Sequence, residues 1–176
     1  MKKKLSAIML FVLGAVALVV SQQVGQTAPA LTALDYAEID QLYARYAIAA
    51  DSGADDGAMW AETFTEDAVY YGADYYRTGT PLRGYEELKA NFADNPGTTP
   101  RHFTTNILIE PTPEGAMGTA YLMIVTEAEE EDDERPAILI KGVYHDQLVK
   151  TAEGWRFKER KADATFAEEW LQVFAQ

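Results

Sequence analysis

The stretch RHFTTNILIEPTPEGAMGTAYLMIVTEA, residues 101–128, is where the hydrophobic period of the chain changes. Upstream, apolar side chains recur every three to four positions; here they alternate. RHFTTNILIE and GAMGTAYLMIVTEA read as two strands joined by the turn PTPEG. Downstream, AILIKGVYHDQLVK and GWRFKERKADATF form a second such pair, joined by TAEG. Long antiparallel strands that follow helices define an α+β class. The expected architecture is a curved antiparallel sheet wrapped around N-terminal helices, a cone with one open mouth.

Those helices are legible upstream. Ile39, Leu42, Tyr43, Tyr46, Ala47 and Ala50 mark one apolar face of a helix from about Asp35 to Ala50, which DSGADDG ends. AMWAETF is a second, short helix carrying Met59, Trp60 and Phe64. DAVYYGADYY, rich in β-formers, reads as a strand or hairpin arm, and TGTPLRG as a turn. YEELKANFADN is a third helix, with Tyr85, Leu88 and Phe92 at helical spacing. A short amphipathic tail, AEEWLQVF, closes the chain. Between the two strand pairs, Glu127 to Glu134 hold seven acids, read as a solvated loop that repels itself.

Residues 1–30 stand apart. Three lysines, an apolar run from Leu5 to Val20 and the small-residue triplet Ala28-Pro29-Ala30 follow the order of a secretory signal peptide. The run is short for a membrane span of about 20 residues, so contact with a membrane is expected only through an uncleaved leader. Export, to a periplasmic or extracellular location, follows as an expectation. Residues 31–176 are then one domain, large enough to bury a core without disulfides, and the sequence has no cysteine. Loss of the leader lysines takes the formal charge from −13 to −16. So acidic a chain repels phosphate backbones, and nucleic acid is not an expected partner.

The chemistry available is limited. Beyond the leader Ser52 is the only serine, outside any nucleophile elbow, and no phosphate-cradling glycine motif occurs. Two separated histidines do not suggest a zinc or iron site. DSGADDGAMWAE resembles a calcium loop but has Gly53 at position three and Asp56 where the turn glycine belongs. No metal or organic cofactor is expected. Asp51 and His102 remain. Asp51 continues the stripe Tyr43, Ala47, Asp51 at a helix C-terminus, where the dipole disfavours a negative charge. Either it opens the DSG loop and bonds its own backbone, or a donor meets it. His102 is either a core histidine bonded to a carbonyl, or an imidazole oriented by Asp51 with its other nitrogen free as a base. His145 has opposite parity to Tyr144 and Asp146, which leaves open which face turns inward. Asn106 shares the face of His102 if strand parity is unbroken.

YARYAIAADSGADDGAMWAETFTEDAVYY, PRHFTTNILIE and KGVYHDQLVKTAEGWRFKER resemble the SnoaL-like branch of the nuclear-transport-factor-2-like (NTF2-like) superfamily. The resemblance covers nearly all of 31–165 and implies the conical α+β fold with a pocket for a hydrophobic small molecule. Enzymes of that branch include scytalone dehydratase, bile acid 7α-dehydratase and hexachlorocyclohexane dehydrochlorinase, cofactor-free lyases with an Asp–His dyad. Asp51 and His102 match the dyad. The resemblance makes Tyr46 a third catalytic candidate, matches Tyr70 or Tyr71 to a strand tyrosine, and matches Arg160 to an arginine of the last strand. With Tyr43 and Asn106 these are the candidate substrate contacts. Tyr46 and Asp51 are roughly 140° apart on a continuous helix, so both can face one cavity only if the helix unwinds near Ala50. The function implied is a cofactor-independent dehydratase, other lyase or isomerase acting by His–Asp proton abstraction. The alternative is a non-catalytic exported ligand-binding or assembly module of the same fold. Either is expected to form a homo-oligomer, with a second subunit covering the outer sheet face.

Overall fold

The structure, a computed structural model, describes residues 29–93, 101–126 and 137–166. The leader, the acidic stretch 127–134 and the C-terminal tail lie outside the described residues, apart from the last residues of the expected leader. Helix α1 (Ala33–Ser52) opens with a capping box: the Thr32 hydroxyl accepts from the Asp35 backbone N–H, and the Asp35 carboxylate accepts from the Thr32 N–H. Asp35 also accepts from Lys150 Nζ at 2.7 Å and from Trp155 Nε1 at 3.1 Å, tying the helix start to the far end of the sheet. The helix lays Ile39, Leu42, Tyr43, Tyr46, Ala49 and Ala50 against the sheet. Ala47 is only half-buried.

A single turn of helix, α2 (Ala58–Ala61), buries Trp60 and exposes Met59, while Phe64 already begins strand β1 (Phe64–Tyr71). The expected strand DAVYYGADYY is split. Its first half is β1, but Gly72 breaks it, and Tyr75 and Tyr76 sit on a short helix α3 (Ala73–Thr78). The turn TGTPLRG contains a two-residue strand β2 (Leu82–Arg83), followed by α4 (Gly84–Phe92), which buries Leu88. The strands β3 (Arg101–Thr112), β4 (Gly115–Thr126), β5 (Ala137–Thr151) and β6 (Gly154–Phe166) fall where the alternating pattern puts them.

The six strands form one curved, open sheet in the order β2-β1-β6-β5-β4-β3. Every pairing is antiparallel except β1 with β6, which is parallel, so the sheet is mixed. Register slips bend it: β3 carries an extra residue between Thr105 and Leu108, and β6 one opposite Gln147 and Leu148. Bulges of this kind bend and twist a strand. They also reverse which residues face inward. On β6 the buried positions run Trp155, Phe157, then Arg160 and Ala162. The bulge thus turns Arg160 inside, where unbroken alternation would have sent Glu159. The outer face of β3 to β5 exposes Phe103, Tyr121 and Met123.

Candidate functional site

Asp51 is the penultimate residue of α1. Gly53, at φ 59°, adopts the left-handed cap conformation and donates to Ala49 O, so the helix stops just behind the carboxylate. Ser52 provides the loop bonds that Asp51 could have made. Its hydroxyl donates to Ala49 O and accepts from the Ala54 N–H. Asp51 instead faces β3, the edge strand of the sheet, whose outward N–H groups have no neighbouring strand. The His102 backbone N–H donates to both Asp51 oxygens at 3.1 Å, and Nδ1 donates to Oδ1 at 2.6 Å. One carboxylate therefore closes a strand edge and fixes an imidazole. With Nδ1 engaged, Nε2 is the nitrogen available to a bound molecule.

No unwinding of α1 is needed. Tyr46 points beneath the sheet and Asp51 points sideways to its edge. The His102 ring bridges them, edge-on to Tyr46 with centroids 6.5 Å apart. His102 forms part of the wall of a cavity of about 190 Å³. Tyr70, Tyr75, Tyr144, Thr80 and Asn91 supply its other polar groups, while Leu82, Phe92, Leu122, Ile124, Ile140 and Ala162 supply apolar wall. No carboxylate, lysine or arginine is among the described lining residues. A separate hollow of about 250 Å³, bordered by Leu42, Arg45, Met59, Glu153 and Arg156, has neither histidine nor tyrosine among its described lining residues.

Tyr46 is fully buried behind that wall, and its hydroxyl donates to the Tyr70 hydroxyl at 3.3 Å. Burial, reinforced by the neighbouring Tyr46, holds the phenols of Tyr70 and Tyr144 well above their ordinary pKa. Both phenols therefore stay protonated. Tyr70 owes its position to Gly72: a Cβ there would meet the Tyr70 ring at 2.2 Å and its hydroxyl at 2.6 Å.

Four expected substrate contacts fall elsewhere. Arg160 is completely buried below the cavity. Its Nε donates to Asp146 Oδ1 at 2.7 Å and its Nη2 to Oδ2 at 2.8 Å. Burial opposes its charge, but Asp146 outweighs that and raises the guanidinium pKa. Tyr43 is not a cavity residue either, because its hydroxyl donates to Asp146. Burial, then the adjacent Asp146 carboxylate, pushes that phenol far up. Tyr71, one position from Tyr70, packs edge-on against Tyr75 with centroids 5.0 Å apart and does not line the cavity. Asn106 sits at φ 54° in the β3 bulge and is exposed, since the extra residue breaks the parity that would have turned it inward. His145 is exposed while Tyr144 and Asp146 are buried. The loop with calcium-like spacing forms turns with Asp55 and Asp56 at positive φ. Among the described residues no three acids or histidines converge as metal ligands.

Sequence reasoning missed Tyr144, Tyr75, Asn91, Asp146 and Gly72. The only sequence signal was the alternation of Tyr144 and Asp146, which marks a shared face without saying which side it is on.

Residues 31–161 match the SnoaL-like domain family, and the chain belongs to it. Among solved structures, a protein of unknown function from Mycobacterium tuberculosis is similar at 26% identity, with 77% of this chain and 75% of that one covered and a TM-score of 0.64. An NTF2-like protein with a cystatin-like fold from Novosphingobium aromaticivorans matches at 18% identity and TM-score 0.64, covering 81% and 90%. A scytalone dehydratase-like protein from the same organism matches at 22% identity and TM-score 0.61, covering 76% and 85%. No match was found among curated proteins. The fold is thus NTF2-like, in a superfamily that often includes dehydratases and isomerases.

Proposed function

We propose that the protein is a cofactor-independent lyase, most simply a dehydratase, or an isomerase of a hydrophobic small molecule, with His102 as its base. The observation that carries this reading is the 2.6 Å contact of His102 Nδ1 with Asp51, in an imidazole that also lines the cavity. Asp51 fixes the tautomer and stabilises the imidazolium, and Nε2 takes a proton from carbon. Tyr70 donates to the oxygen on which charge develops, with Tyr46 behind it. In a dehydration the electrons of the broken C–H bond form the new C=C bond as the C–O bond breaks. The proton held by His102 then passes to the departing hydroxyl, giving water. The apolar wall keeps other water away from the reacting carbon.

The test is a ligand screen by thermal shift, followed by turnover of the hits with wild type, Asp51→Asn and His102→Ala. His102→Ala is expected to lose about 10²- to 10⁴-fold in kcat/KM, the usual worth of a general base. Equal turnover in all three proteins would remove the base and leave a ligand-binding cone. Two further readings belong here. Export rests on the leader sequence and is checked by fractionation. A homo-oligomer rests on the exposed Phe103, Tyr121 and Met123, and sedimentation of wild type against Tyr121→Glu checks it.

A further inference from the structure

The ion pair beneath the cavity makes no contact with it, yet the two are connected. The Arg160 guanidinium carbon lies 4.1 Å from the ring centre of Tyr46, 4.0 Å from that of Tyr144 and 3.8 Å from that of Phe157. The two-pronged bond to Asp146 holds the guanidinium in place, and Tyr43 closes on the same carboxylate. Arg160 Nη1 is buried with no hydrogen-bond partner among the described residues. A buried donor in that state is costly, and the surrounding ring faces are the compensation at hand. A cation against a phenol face draws electron density from the ring and makes its O–H a stronger donor. The Tyr46 O–H is given to Tyr70. Tyr70, by accepting, keeps its own proton to donate, and it lines the cavity with His102. Hydrogen bonds in series polarise one another.

We propose that Arg160 is a positioning residue that sets the donor strength of Tyr70 through Tyr46, and that this donor holds the carbonyl or hydroxyl oxygen of a neutral, single-ring molecule. The size follows from the cavity: about 190 Å³, where an apolar cavity of about 150 Å³ takes up benzene. Neutrality follows from the described wall, which lacks carboxylate, lysine and arginine. The proposal rests on the cavity being the functional site but not on His102 acting as a base, so it is tested by binding rather than turnover.

The probes are cyclohex-2-enone and its oxygen-free counterpart 3-methylenecyclohexene. Wild type is expected to bind the enone roughly three- to tenfold more tightly, the worth of one hydrogen bond. The infrared carbonyl stretch of the bound enone should lie below its value in cyclohexane. Tyr46→Phe keeps the ring and the arginine contact but removes the link to Tyr70. It should raise that stretch and weaken the enone while leaving the hydrocarbon unchanged. The double variant Asp146→Asn with Arg160→Met removes the cation, leaves no unpaired buried charge and should shift the stretch the same way. Should the double variant not fold, Arg160→Lys takes its place: it keeps a charge beside Asp146 but removes the flat guanidinium from the Tyr46 ring, and should raise the stretch while leaving the hydrocarbon unchanged. A merely structural role would weaken both probes together or leave the stretch unmoved, and either result overturns the proposal. So does failure of the enone to bind wild type, or binding of the four-ring progesterone as tight as that of the enone.

Discussion

Two acid–base pairs, one in the cavity wall and one beneath it, differ in one physical respect. Asp146 and Arg160 are both completely buried, and the Asp146 carboxylate raises the guanidinium pKa, so Arg160 keeps its charge. Asp51 and His102 retain side-chain exposures of 14% and 11%, at the edge of the sheet and the wall of the cavity. The buried pair has no opening to solvent or to the cavity. It serves as a fixed dipole around which Tyr43, Tyr46, Tyr144 and Phe157 are arranged. The outer pair ends in an imidazole whose second ring nitrogen has access to a ligand. Similar ingredients become scaffold or chemistry according to access.

That contrast is broken most forcefully from the inside. Arg160→Met alone strands a buried carboxylate and should cost about 3–5 kcal/mol of stability in chemical denaturation. Replacing both members, Asp146→Asn with Arg160→Met, should recover most of that loss, which would show the pair to be mutually required rather than individually stabilising. Gly118→Ala reaches the same network sterically. Its Cβ would sit 2.3 Å from the Tyr43 hydroxyl oxygen, which is buried and bonded to Asp146. A loss of about 1–3 kcal/mol is expected, as for overpacked cores. The outer pair should matter less to folding: His102→Ala is expected to cost about 1 kcal/mol, measured on the same denaturation curves, even where it abolishes turnover.

A third carboxylate refines the comparison. Lys150, then Thr32 and Trp155, hold the Asp35 carboxyl far below its ordinary pKa. A depressed folded pKa contributes stability that is present above the unfolded value of about 4 and is lost as pH falls through the lower folded value. Melting temperatures of wild type should therefore fall between pH 5 and pH 2. Asp35→Asn should start lower at pH 6 and fall less steeply, and parallel curves would remove Asp35 as a source of acid sensitivity.

Much of this was open to sequence reading because it is local. The period-two runs gave β3 to β6 nearly to the residue, and the 3.6-residue stripe gave α1 and its buried face. Asp51 and His102 stood out because an acid at a helix C-terminus and a rare histidine at a strand start each call for a partner. Asn106 was misjudged because its strand carries a bulge, whereas Tyr71 and Arg160 were carried over from the family resemblance with no local pattern to say what they would meet. Parity along a strand fixes which residues share a face only until a bulge intervenes. The bulges of β3 and β6 depend on how those strands meet β4 and β5. Tyr75 was lost because Gly72 ended a strand that β-propensity would have continued.

The sequence by itself determined the class of fold, the order of its elements and the two residues worth pairing, since short-range periodicity and residue chemistry are properties of neighbours in the chain. Only the tertiary structure decided that Arg160 faces Asp146 and aromatic rings rather than a ligand, and that Tyr70 rather than Tyr71 reaches the cavity. Those outcomes depend on register between strands far apart in sequence, where one extra residue turns a side chain from one face of the sheet to the other.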